Sequence, residues 1–229
     1  MTDAPDTSTY YLLHGAMRTS SDRLAGALAG MMEPDRVRAK AVARWVAGFC
    51  AELEEHHTVE DTVFFPALAA RVPTYADHAA TLDEDHEHLH DVLAALRLHT
   101  GRMADGMDWA KAQQAAAALA AQLRDLLDEH LDLEDRDVVP LFERHFSAEE
   151  YGALDARARE HLSLRQAGFV VPWLLSSVSG DDRRRLLDTA PLPLKAVWVL
   201  NRRRYARLAA TALGEDFPLD THPEVAPAS

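Results

Sequence analysis

Apolar residues recur at spacings of three and four along almost the whole chain, and the strict alternation of a half-buried strand is nearly absent. That period predicts helices, and the abundance of alanine, leucine, arginine and glutamate favours them further. The spacing predicts a first helix over about residues 8–32, with His14 in its second turn and Met17, Leu24 and Leu28 on the inner stripe. Pro34 suits the first turn of a second helix that runs to about Arg71, after which Pro73 and Thr74 break the chain. A third helix is expected from about Tyr75 to His99, with Gly101 to Gly106 as the next connection. The fourth starts near Asp108 and passes through the alanine-rich Ala115–Ala121 to about His145. Pro66 and Pro140 fall near the far ends of the second and fourth helices, where each removes one hydrogen bond, so kinks are expected.

Ser147 to Glu150 reads as a capping box opening a fifth helix, expected to reach about Ser179 with Pro172 as an internal kink. Gly180-Asp181-Asp182 opens a short helix, and Pro191-Leu192-Pro193 precedes a last one from Leu194 to about Leu213. The pattern therefore predicts an all-α fold: an up-down-up-down four-helix bundle over 8–146 and a C-terminal helical extension over 147–213. The extension is apolar at Phe169, Trp173, Leu174, Trp198 and Leu200, which suits packing on the bundle or a homodimer interface. The tail 214–229 is expected to be disordered.

Composition narrows the setting. With 229 residues the chain can bury a sizeable core. A single cysteine, Cys50, excludes an intramolecular disulfide and cysteine-based metal clusters, which points to a reducing, cytoplasmic home. The first residues carry no signal-peptide pattern and the longest apolar run is too short to span a bilayer, so export and membrane insertion are not expected. A net charge of −13 argues against nucleic acid as a partner. Between Asp181 and Arg207, however, eight basic residues stand against three acids. A solvated face that pairs with the acidic bundle accounts for them, with a docking site for an acidic partner as the alternative.

One repetition carries chemistry. His56-His57-Thr58-Val59-Glu60-Asp61 and His130-Leu131-Asp132-Leu133-Glu134-Asp135 share His, Glu four residues on and Asp five on, and a proline, Pro66 or Pro140, follows ten residues after each histidine. Residues four apart on a helix differ by about 40° in azimuth and about 6 Å along the axis, so His and Glu project side by side. A long helical segment with its own histidine precedes each copy, His14 before the first and His86 before the second. In a bundle, His14, His56, Glu60, His86, His130 and Glu134 would face one interior, and His90 adds a second candidate on the third helix. Five imidazoles and two carboxylates that bridge, with a bridging oxide or hydroxide, leave one position open on a pair of six-coordinate ions. Imidazole and carboxylate without thiolate suit iron before manganese or zinc.

His57 sits one residue off that face and is read as a neighbour of the ligands or as exposed, with a register in which His57 and Asp61 are ligands as the alternative. His88 is expected in solvent, as are His78, His99, His145, His161 and His222. Tyr10, Tyr11 and Phe64 are candidates to line the pocket.

These motifs resemble the hemerythrin family, specifically the bacterial HHE cation-binding domain, over about residues 10–150. The resemblance implies a non-haem di-iron centre with an oxo or hydroxo bridge, ligated by His14, His56, Glu60, His86, His90, His130 and Glu134, with Glu60 and Glu134 as bridges. The expected function is binding of dioxygen or a related small ligand such as peroxide or nitric oxide, as carrier, sensor or scavenger. Peroxide decomposition of the catalase kind or another oxidase reaction is one alternative. Iron storage, trafficking or a structural metal bundle is another.

Overall fold

The computed structural model describes residues 4–214. Four long helices form the frame: α1 (Ser8–Ala29), α2 (Arg36–Val59), α4 (Ala76–Asp105) and α5 (Trp109–Leu133). Among the described residues there is no strand. Asp35 caps α2 by accepting from the Val37 and Arg38 amides at 2.9 and 3.0 Å, which leaves Pro34 just outside the helix instead of in its first turn. Gly106 closes α4 with φ 75°, a left-handed conformation that costs glycine nothing. In the bundle α1 lies against α5, α5 against α4, and α4 against α2.

The two prolines of the repeat do not break their helices. Each helix widens into a π turn before its proline, Glu60–Phe64 and Glu134–Val138, and then continues as α3 (Phe65–Arg71) and α6 (Val139–His145). A proline in a helix lacks its own donor and crowds the carbonyl four residues back. The ladder shifts instead to bonds five residues long, Phe65 N–H to Glu60 O and Val139 N–H to Glu134 O. Each widened turn begins at the repeat glutamate.

The segment after His145 departs from the expected single helix. It forms α7 (Ala148–Glu160) and α8 (Leu164–Ser177), separated by a break at which Ser163 starts a second capping box with Gln166. Two capping boxes define two helix starts, and α8 can then turn back on the bundle. α9 (Gly180–Thr189) buries no residue, while α10 (Leu192–Leu213) lies along α2 and α8. The fully buried Trp173 donates to Ser20 Oγ at 2.8 Å, and Trp45 donates to Tyr205 Oη at 3.2 Å, so both C-terminal helices are tied to α1 and α2. The expectation of a disordered tail falls on residues 215–229, outside the described residues.

Two apolar clusters result. The larger fills the bundle between its four helices and takes in Trp173 and Tyr205. The smaller gathers Phe64, Phe65, Phe142 and Tyr151 where the π turns and α7 close one end. No helix among the described residues is long and apolar enough to cross a membrane.

Candidate metal centre

Between those two clusters lies a polar layer. α1 contributes His14, the last turn of α2 contributes His56 and His57, α4 contributes His86, and the last turn of α5 contributes His130; Glu60 and Glu134 open the π turns. All seven are buried. They form two groups, His57, Glu60, His86 and His130 in one and His14, His56, Glu60 and Glu134 in the other, whose donor atoms lie within 4.8 Å of one another. Glu60 belongs to both, with Oε1 3.1 Å from His56 Nε2 and Oε2 3.6 Å from His86 Nε2. Glu134 divides its oxygens in the same way, Oε2 3.4 Å from His14 Nε2 and Oε1 3.7 Å from His130 Nε2.

Carboxylates behind the imidazoles orient them. Asp61 lies 3.0 Å from His86 Nδ1, Asp135 2.7 Å from His14 Nδ1, and Asp85 faces His130 Nδ1 at 3.5 Å. Arg18 anchors Asp135 in turn at 2.8 Å. A carboxylate acceptor at Nδ1 places the proton there and leaves Nε2 as a lone-pair donor pointing inward. The aspartate that follows each of these glutamates therefore serves the histidine of the neighbouring helix. This exchange relates the two halves of the bundle, but the relation is incomplete. Opposite His57 the second copy has Leu131, and opposite Tyr10, whose hydroxyl donates to Glu60 Oε1, it has Leu82.

The donor set is unpaired. The Nε2 atoms of His14, His56, His57, His86 and His130 are buried without a hydrogen-bond partner, as are Glu60 Oε2 and both carboxylate oxygens of Glu134. Each orphaned buried polar group costs about 1–3 kcal/mol, so seven side chains converging in this way would burden the fold heavily without a cation. Burial holds His56 and His57 well below the usual imidazole range, and it lowers His14 and His130 as well. Burial opposes the charged form of His86 too, but the hydrogen bond to Asp61 and the charge of Glu60 outweigh it and raise this one histidine. Burial also raises Glu60 and lifts Glu134 well above the carboxylate range. Imidazoles that, His86 apart, resist protonation, beside carboxylates that resist ionisation, are the state a multivalent cation would reverse for the acids and exploit for the bases. The residues present fit a bound metal cation.

The model of the hemerythrin HHE cation-binding domain matches residues 7–142. The chain belongs to that family. It is also similar to Zinc finger protein BRUTUS of Arabidopsis thaliana, 27% identical over 162 residues, which is 58% of this chain and 13% of that protein. The chain thus spans about an eighth of the length of that curated relative. No solved structure matches it.

Six of the residues to which the hemerythrin resemblance assigns ligation converge: His14, His56, Glu60, His86, His130 and Glu134. His90 does not. It is exposed and belongs to neither group, because one helical turn beyond His86 the inward positions of α4 are taken by Leu89 and Leu93. Its place is filled by His57, which stacks on His86 with ring centroids 4.1 Å apart. Three residues from Glu60, His57 shares the face of that carboxylate as closely as His56 does. The alternative register is met by half: His57 is inside, while Asp61 stands behind His86. Tyr10 and Phe64 are buried beside the layer, and Tyr11 is 36% exposed. His88 and His145 are exposed, His78, His99 and His161 are partly buried, and His222 lies outside the described residues.

Proposed function

We propose that this hemerythrin-family chain holds two iron ions: His57, His86 and His130 would hold one and His14 and His56 the other, with Glu60 and Glu134 each placed to reach both. The observation that carries the reading is the division of each glutamate between the two histidine groups, one oxygen toward each. Three imidazoles on one side and two on the other make the pair unequal. The group with fewer imidazoles, His14 and His56, would be the one to leave room for a small ligand. An iron pair supplies reversible redox change and a coordination position for a small ligand such as dioxygen, peroxide or nitric oxide.

The chain's own residues set the conditions. Asp135 and Asp61 keep the Nδ1 protons of His14 and His86 in place, so Nε2 stays available. The apolar clusters above and below exclude bulk water, which strengthens electrostatic interactions in the layer. Tyr10 packs on His14 with ring centroids 4.7 Å apart and donates to Glu60 Oε1, on the side of the His14 and His56 group. Its hydroxyl is a proton donor held at the edge of the layer.

Binding of a small ligand is the reading we favour, and Tyr10 supports a second, turnover of peroxide. Protein prepared with iron should show a visible charge-transfer band that bleaches on anaerobic reduction and returns in air. Colourless protein retaining zinc would contradict the iron reading. Gas evolution on adding peroxide would identify turnover, and its absence alongside a reversible band would leave ligand binding.

A further inference from the structure

Far from the metal layer along α2, a groove of about 1050 Å³ opens between α2 and α10. Lys40 and Arg44 line one wall and Arg203, Arg204 and Arg207 the other, with no acidic residue among the lining side chains. In a chain of net charge −13 this is a concentrated positive site. Among the described residues none of the five cations takes part in an ion pair or a side-chain hydrogen bond, whereas Arg18, Arg71 and Arg97 are all held by carboxylates. The basic run of the C-terminal segment divides accordingly. Arg184 and Arg185 pair with Asp181 and Asp182 on their own helix, whereas Arg203, Arg204 and Arg207 of α10 line the groove and Arg202 lies over the Trp198 ring.

We propose that this groove binds a compact oligophosphate, free or as part of a nucleotide. Lys40 and Arg44, like Arg203 and Arg207, are four residues apart, so each wall presents cations about 6 Å apart along its helix. Four of the five cations are arginines, whose planar donors match phosphate oxygens in pairs. Unpaired like charges sharing a concavity repel one another, and a ligand carrying several negative charges in a small volume relieves that most fully. The groove's size, at the upper end of the roughly 300–1,000 Å³ of small-molecule sites, accommodates a nucleotide. Screening confines the positive field to about 8 Å at physiological salt. A nucleic acid or an anionic membrane would reach beyond it and meet the acidic remainder of the surface, so a small ligand is favoured. At the floor, Phe169 packs where Gly48 has no side chain, giving a flat apolar base.

Calorimetric titration of the iron-loaded full chain with sodium tripolyphosphate, ATP and citrate, at about 150 mM salt, tests this. Tripolyphosphate should bind once per chain and at least about tenfold tighter than citrate. The double variant Arg44→Ala, Arg204→Ala, with unchanged circular dichroism and iron content, should weaken it by about 100-fold or more. ATP binding tighter than tripolyphosphate would support a nucleotide that also uses the floor, and equal binding would support the phosphate chain alone. Undiminished binding in the double variant would overturn the proposal, because the anion would then be held outside the groove. So would equal affinity for citrate, no binding at all, or binding that emerges only after removal of residues 215–229.

Discussion

Asp135 Oδ1 lies 2.7 Å from His14 Nδ1, joining the end of the fourth long helix to the second turn of the first across 121 residues of chain. Asp61 and His86 repeat the relation between α2 and α4. Each repeat therefore delivers a carboxylate to the metal layer and, one residue later, a second carboxylate that aims its neighbour's imidazole. A π turn starts at each of these glutamates.

Replacing Asp135 or Asp61 by alanine should lower metal affinity by about 10- to 100-fold without unfolding the bundle. Asparagine at either position should retain part of the affinity, since its carbonyl still accepts from Nδ1–H. Competition with a chelator of known affinity measures both. An alanine variant as tight as the parent would show that these aspartates do not orient the ligands.

His57 and His90 separate the observed centre from the one read in the sequence. His57→Ala should leave the chain with close to one firmly held ion, because its group loses one of three imidazoles. His90→Ala should leave both, since its side chain is in solvent. Metal content after gel filtration distinguishes them, and a loss in His90→Ala equal to that in His57→Ala would reverse the assignment.

Glu52 gives the fold a pH dependence of its own. Burial, reinforced by the charge of Glu55, raises its carboxyl from an ordinary 4.5 to about 7. The unfolded chain thus releases this proton more readily than the folded one. The resulting penalty is absent below about 4.5, grows between there and 7, and is complete above, at most roughly 3 kcal/mol. Glu52→Gln should accordingly be more stable than the parent in denaturant melts at pH 8 and indistinguishable near pH 4.5. An equal difference at both would remove titration as the cause.

A side chain at Gly48 would meet the Phe169 ring at 2.5 Å. Gly48→Ala should therefore destabilise the protein by about 1–3 kcal/mol through displacement of α8. In a Phe169→Ala background the same change should become neutral or stabilising by up to about 1 kcal/mol, the helix preference of alanine over glycine. A double-mutant cycle reads the sign, and additivity of the two changes would contradict the contact.

Much of this was legible from periodicity. The four long helices follow from apolar spacing, and six inward residues follow from the duplicated His and Glu with their upstream histidines. His57 entered the sequence reading only as a neighbour of the ligands or in an alternative register, because the repeat suggests one histidine per position and Leu131 in the second copy reinforces that. The spacing of three from His57 to Glu60 was the available signal. The division of the fifth helix was also written, in Ser163 and Gln166, but a capping box inside a helical pattern is easily read through. The burial of Trp173 against Ser20 and the pairing of Tyr205 with Trp45 are tertiary, and no local pattern announces them.

Whether two cations share Glu60 and Glu134 is tested most directly by anomalous diffraction from iron-loaded crystals at the iron edge. Two peaks are expected roughly 3.5–4 Å apart, one beside the Nε2 atoms of His57, His86 and His130 and one beside those of His14 and His56. A single peak, or iron only at exposed histidines such as His88 and His90, would contradict the shared pair.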